Sequence, residues 1–141
     1  MKLLIIGSKG FIGSHLVAEL EHTKMGEIWS CDIFIDNNNS NYISIDASLD
    51  NFDEIFNSHN FDICINCAGA ASVPDSLKEP LKDYCLNTRN VFLILDSIRK
   101  FSPSTKFINL SSAAVYGNPK KLPIRETDEL SPLSPYGWHK L

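Results

Sequence analysis

The 141-residue chain is 43% hydrophobic and 21% charged, a balance that suits one globular domain with its own core. Its 17 acids outnumber its 13 Lys and Arg for a net charge of −4, which argues against a nucleic-acid surface. No apolar run approaches the ~18–20 residues of a membrane span, and the opening Leu3-Leu4-Ile5-Ile6 is too short for a signal peptide, which places the protein in the cytoplasm.

In chain order, short β-branched runs alternate with longer amphipathic stretches, the pattern of βαβ units and a parallel sheet. Lys2–Ile6 reads as a first strand, continuously apolar as a strand covered on both faces should be. A helix follows over 10–21, with Phe11, Ile12, Leu16, Val17 and Leu20 at helical spacing. Residues 27–34 form a second strand and 42–45 a third. Residues 49–57 form a helix with Phe52, Ile55 and Phe56 inward, and 62–67 a fourth strand. Pro80 suits the first turn of a helix running to about Phe101, with Leu81, Tyr84, Cys85, Val91, Leu95 and Ile98 along it. Residues 106–110 are a fifth strand. The stretch 117–135, with Pro119, Pro123, Pro132 and Pro135, reads as a loop. A last helix begins near Tyr136, with no capping residue, no end and only about six residues, and is marginal unless something continues it. The chain therefore reads as the N-terminal part of a longer protein; a short natural tail is the alternative.

Cys64 and Cys67 make a lone CxxC inside an apolar strand, where positions i and i+3 face opposite sides. With no second Cys or His pair at ligand spacing, the four cysteines read as small side chains in a reducing compartment, and no metal site is expected.

The turn after the first strand carries Gly7, Gly10 and Gly13 in the spacing GxxGxxG. Gly7 permits a sharp turn, Gly10 a close approach of backbone to a pyrophosphate, and Gly13 close packing of helix on strand. The helix start, at Phe11 and Ile12, offers unpaired N–H groups to phosphates. Asp32 lies 19 residues beyond Gly13, at the end of the second strand, where a carboxylate accepts from a ribose diol and repels a 2′-phosphate. That favours NAD over NADP; an ordinary strand-end turn acid is the alternative for Asp32. The fold expected is α/β, a Rossmann-type doubly wound parallel sheet cut off after about five strands, with 1–141 as one NAD-binding domain.

The motifs together resemble the extended short-chain dehydrogenase/reductase family, the sugar-nucleotide epimerases and dehydratases. The resemblance covers nearly the whole chain and rests on the glycine turn, Asp46 with Ala47, the segment Asn66-Cys67-Ala68-Gly69-Ala70-Ala71, Asn87, Ser111-Ser112-Ala113-Ala114-Val115-Tyr116-Gly117, and the YxxxK pair Tyr136 and Lys140. It implies that Asp46 contacts the adenine amino group, that Ala47, Ala68, Gly69 and Asn87 lie near the cofactor, and that Lys140 binds the nicotinamide ribose. It also implies a nucleotide-sugar substrate and a homodimer, for which the 80–101 helix is a candidate contact.

Tyr136 and Lys140 are four apart and share a helix face. A free tyrosine, with a pKa of about 10, is a poor base at neutral pH; a nearby ammonium stabilises the phenolate. Tyr136 then takes the proton from a sugar hydroxyl as hydride leaves the same carbon, and Ser112 holds the oxygen. The family's dehydratases and decarboxylases commonly carry an acid between the catalytic Ser/Thr and the VYG tyrosine. Here those positions are Ala113 and Ala114, which move no protons, so the resemblance is to the epimerases, or to simple 4-reductases, more than to the dehydratases. A 4-reductase or a dehydratase of the same family, and a non-catalytic NAD-binding module, are the other readings. His15, His22, His59 and His139 receive no catalytic role, and the 141 residues alone are expected not to turn over substrate.

Overall fold

A computed structural model describes residues 1–46 and 52–141, which form two compact units. The first comprises residues 1–68 and 90–110, the second residues 69–89 and 111–141.

The first unit is a five-stranded parallel sheet: β1 (Lys2–Ile6), β2 (Glu27–Asp32), β3 (Tyr42–Ser44), β4 (Ile63–Asn66) and β5 (Lys106–Asn109). The strand order is β3-β2-β1-β4-β5, and every pairing is parallel. Leu3 to Ile6 of the central strand are all at least 97% buried, each contributing about 1.5–3 kcal/mol on burial. Alternation splits them between two cores. Leu4 and Ile6 join Cys31, Phe52, Ile55, Phe56, Phe61, Cys64, Ile94 and Ile98 on the face covered by α2 (Asp53–Ser58) and α5 (Asn90–Phe101). Leu3 and Ile5 join Leu20, Leu16 and Val17 of α1 (Phe11–His22) on the other. Helices on both faces make the sheet doubly wound, as the sequence leads one to expect.

Several boundaries differ from the sequence reading. The second strand stops at Asp32, two residues early, because Ile33 and Phe34 turn out into solvent at 54% and 60% exposure. The third and fifth strands lose Ile45 and Leu110, and the fourth loses Asp62 and Cys67; each still donates its N–H to the neighbouring strand, but the paired register stops one residue short of it. The helix expected over 49–57 is α2, and its expected start at Leu49 lies outside the described residues; Phe52, Ile55 and Phe56 are buried as expected. Phe11 and Ile12 are not core residues of α1: they are exposed at its first turn.

The second unit holds α3 (Val73–Lys78), α4 (Pro80–Tyr84), a π-helical turn (Cys85–Arg89), a 3₁₀ turn (Ala113–Tyr116) and α6 (Pro135–His139). Helix α3 was missed by periodicity because it is one short turn-and-a-half, although Ser72 caps it and Pro74 sits in its first turn. The single helix expected over 80–101 is α4, the π turn and α5 in succession. Its supposed apolar stripe is also wrong for α4: Leu81 and Tyr84 are exposed, while Asp83 and Asn87 are buried. Buried polar side chains, not an apolar stripe, face inward there. The last helix does have a cap: Ser134 Oγ accepts from Gly137 N–H at 3.1 Å. Among the described residues no helix is long and apolar enough to cross a membrane, and no group of His, Cys, Asp or Glu is placed to hold a metal ion.

Candidate functional site

In the first unit, strand order reverses between β1 and β4, and ligands of doubly wound sheets bind outside the carboxyl ends of the strands at such a reversal. The glycine turn begins there. Gly7 has φ +81°, and a Cβ on it would lie 2.6 Å from Ala68 N, so both conformation and space require glycine. A Cβ on Gly13 would lie 2.0 Å from the Gly7 carbonyl oxygen, which is how closely α1 packs on the turn. Gly10 differs: it has an ordinary φ of −72°, and its Cβ would meet only Gly7 O, at 3.3 Å. The protein's own packing demands glycine less strictly here than at Gly7 or Gly13, and the position is exposed to an incoming group.

Helix α1 starts at Gly10 with no side-chain cap and no acid in its first turn. Its N–H groups and partial positive charge are therefore available to an anion beside the exposed Phe11 and Ile12. Asp32, 91% buried, is fixed at the end of β2 by two N–H donors: Lys9 N–H to Oδ2 at 2.8 Å and Ile33 N–H to Oδ1 at 2.7 Å. Each oxygen keeps further acceptor capacity. The Lys9 ammonium pairs with Asp36, whose carboxyl is held below the usual carboxylate range by that hydrogen bond, and lies 5.1 Å from the centre of the Tyr42 ring. The turn after β4 is set by Asn66, whose Oδ1 accepts from Ala68 N–H at 3.2 Å and whose Nδ2 donates to Asn109 Oδ1 at 2.9 Å. Asp46 is exposed just beyond β3, and Ala47 lies outside the described residues.

The second unit gathers Gly69, Asn87, Ser112, Tyr136 and Lys140. Ser112 caps the 3₁₀ turn, its Oγ accepting from Ala114 N–H at 3.2 Å, which leaves the hydroxyl hydrogen to donate elsewhere. Helix α6 lies directly on that turn: a Cβ on Gly137 would be 2.8 Å from the Ala114 carbonyl oxygen. Glycine beside the tyrosine thus lets Tyr136 approach the segment of Ser112. Ser111 Oγ donates to the Lys140 carbonyl at 2.7 Å, tying the same segment to the lysine. Lys140 N–H donates to the Tyr136 carbonyl at 3.1 Å, so the i,i+4 relation holds although Lys140 is the cap rather than a helical residue. Burial pulls the Lys140 ammonium below the usual lysine range, and the charge of Asp83 opposes the shift.

Gly69, at φ +137°, is where Asn87 and Lys140 converge: its Cβ would lie 2.4 Å from Asn87 Oδ1 and 3.1 Å from Lys140 Nζ. Asn87 is 98% buried, and neither its Oδ1 nor its Nδ2 has a hydrogen-bond partner. Such a group is costly unless a ligand satisfies it. Sequence reasoning missed three residues here. Asp83, Thr88 and Ser111 all hold the last turn of α6: Asp83 and Thr88 attach to His139, set aside in the sequence reading, and Ser111 to the Lys140 carbonyl. The available signal was an acid, Asp83, four residues before Asn87.

A parallel sheet with a glycine turn at its strand-order reversal, followed by an uncapped helix, defines a dinucleotide-binding α/β protein. Residues 3–141 match the NAD dependent epimerase/dehydratase family, and the chain belongs to that family. It is 34% identical to the UDP-glucose 4-epimerase of Lactobacillus helveticus over 153 aligned residues, covering 100% of this chain and 44% of that protein. Among solved structures it resembles UDP-glucose 4-epimerase from Bifidobacterium longum in complex with NAD+ and UDP, with a TM-score of 0.87 and 28% identity, covering 99% of this chain and 46% of that one. It also resembles the Thermotoga maritima UDP-glucose 4-epimerase with UDP-glucose, with a TM-score of 0.83 and 32% identity over 99% of this chain and 48% of that one. The chain spans about half the length of the curated relatives it matches.

Proposed function

We propose that this chain binds NAD and carries the acid–base residues of a nucleotide-sugar epimerase that works by transient oxidation at C4 and hydride return. The activity is assigned to the full-length protein, since the relatives run to about twice the length of these residues. The observation that carries the reading is the second unit's assembly: Tyr136 and Lys140 on a helix seated against the turn that Ser112 caps, with only Ala113 and Ala114 between Ser112 and Val115.

The residues fit the cofactor. Gly10, the uncapped α1 with Phe11 and Ile12, and Asp32 suit the pyrophosphate and the adenosine ribose, with Gly7 and Gly13 shaping the turn. Asp46 is assigned to the adenine, and Ala47 and Ala68 to the surroundings of the cofactor. The orphaned amide of Asn87, beside Gly69 and Lys140, suits a polar group of the nicotinamide half. Asp32 and Asp36, which already engages Lys9, disfavour a 2′-phosphate, so NAD is preferred to NADP.

When bound, NAD would supply the hydride acceptor and donor for C4 of the sugar. Tyr136 removes the proton of the 4-hydroxyl and later restores it, with the Lys140 ammonium stabilising the phenolate. Ser112 donates its hydroxyl hydrogen to the same oxygen and fixes it. Ala113 and Ala114 supply no acid–base group for eliminating water, which favours epimerase over dehydratase. Conversion of UDP-glucose to its C4 epimer by the full-length protein, with no net consumption of added NAD or NADH, tests the reading; stoichiometric cofactor turnover points to a 4-reductase instead. The compartment assigned is the cytoplasm, and the homodimer is assigned to α5, which exposes Phe92 and Leu95.

A further inference from the structure

Helix α6 spans five residues, too few to hold its own shape, yet it carries the pair on which the proposed chemistry depends. Its last turn is pinned by side chains from elsewhere in the second unit. Thr88 Oγ1 donates to the His139 carbonyl at 3.1 Å, and Ser111 Oγ to the Lys140 carbonyl at 2.7 Å. The third anchor engages a side chain: His139 Nδ1 lies 2.6 Å from Asp83 Oδ1. An ionised carboxylate only accepts, which puts the hydrogen on Nδ1. The imidazole also meets the Tyr84 ring edge-on, with centroids 5.6 Å apart.

Asp83 is 97% buried, and its second oxygen, Oδ2, has no hydrogen-bond partner. A surface ion pair contributes little, whereas removing one partner of a buried pair leaves the other group uncompensated. His139 is the residue immediately before Lys140, so the ring that Asp83 holds belongs to the same half-turn as the ammonium.

We propose that Asp83 and His139 form a buried strut that sets the place of Lys140, which makes Asp83 a positioning residue for the Tyr136–Lys140 pair. Resting on the epimerase reading above, the proposal adds a residue that the glycine turn and the YxxxK pair do not include. Asp83 touches no reacting atom. Besides its charge, which bears on Lys140 directly, it acts through His139: without the strut, the last turn loses one of its three side-chain anchors, and Lys140 swings away from the tyrosine and from the cofactor's ribose.

The test uses the full-length protein with UDP-glucose as probe, and compares Asp83→Ala, His139→Asn and Lys140→Ala with wild type. Three quantities are read: kcat and KM, NAD affinity by calorimetry on cofactor-stripped protein, and Tm. Asp83→Ala is expected to lower kcat at least ten-fold with KM for UDP-glucose within about three-fold, and to weaken NAD binding several-fold, as Lys140→Ala does. His139→Asn keeps a donor near the Nδ1 position and is expected to retain kcat within about three-fold. If Asp83→Ala does not fold, His139→Leu takes its place, with the same expected losses. Wild-type kcat and NAD affinity in a folded Asp83→Ala or His139→Leu protein would overturn the proposal, as would His139→Asn losing as much as the variants that remove the strut. Wild-type protein that neither binds NAD nor acts on UDP-glucose, or a fully active Lys140→Ala, contradicts the underlying epimerase reading instead.

Discussion

Ser111 donates its hydroxyl hydrogen to the carbonyl of Lys140 across 2.7 Å, so the neighbour of Ser112 is bonded directly to the residue four beyond Tyr136. That bond and the close seat of Gly137 on Ala114 join two segments that are 24 residues apart in sequence, counting from Ser112 to Tyr136. If the junction serves proton transfer, Tyr136→Phe in the full-length protein should cut kcat at least about a hundred-fold, the range for losing a general base. The phenol hydroxyl is the only group removed, so Tm should change little. Steady-state kinetics with UDP-glucose and a thermal melt check both.

The glycines of the turn separate by what each serves. Gly13→Ala places a Cβ against backbone and should destabilise the fold by about 1–3 kcal/mol as well as weaken NAD binding. Gly10→Ala meets only one oxygen, at 3.3 Å, and should leave Tm nearly unchanged while NAD affinity falls ten-fold or more. Denaturant melts with and without NAD distinguish the two; equal losses of stability would show that Gly10 serves the fold rather than the cofactor.

The charge of Lys140 carries a pH prediction. Burial lowers its proton affinity and Asp83 partly restores it, so the ammonium persists up to a pH below that of a free lysine. Asp83→Asn removes the restoring charge, and Lys140 should then lose its proton at lower pH still. The titration is followed through the lysine Cε carbon resonance, assigned with Lys140→Arg. A midpoint that rises in Asp83→Asn contradicts the sign.

Much of the first unit was legible in the sequence because its determinants are local and periodic. Leu3 to Ile6 are apolar without interruption, the glycines follow at fixed spacing, and Asp32 closes the next strand. The second unit was harder to read. Asp83, Asn87 and His139 break the apolar pattern, and their burial makes sense only once residues distant in sequence come together. Periodicity therefore chose Leu81 and Tyr84 for the inner face, and fused α4, the π turn and α5 into one helix. Ser134 was overlooked as a cap because Pro135 stands between it and Tyr136, although proline in the first turn is what a capped helix start accepts. Helix α6 is held by Thr88, Ser111 and Asp83 rather than by its own length, a dependence that no window of sequence around Tyr136 reveals.

The central claim, oxidation at C4 followed by return of the same hydride, is tested most directly with UDP-glucose carrying deuterium at C4. The full-length protein, with bound NAD and no added reductant, is incubated with it, and the product is read by NMR and mass spectrometry. The account predicts the C4 epimer with its deuterium retained at C4 and no exchange with solvent. Deuterium lost from C4, a dehydrated product, or turnover only when NADH or NADPH is supplied in stoichiometric amount would contradict it.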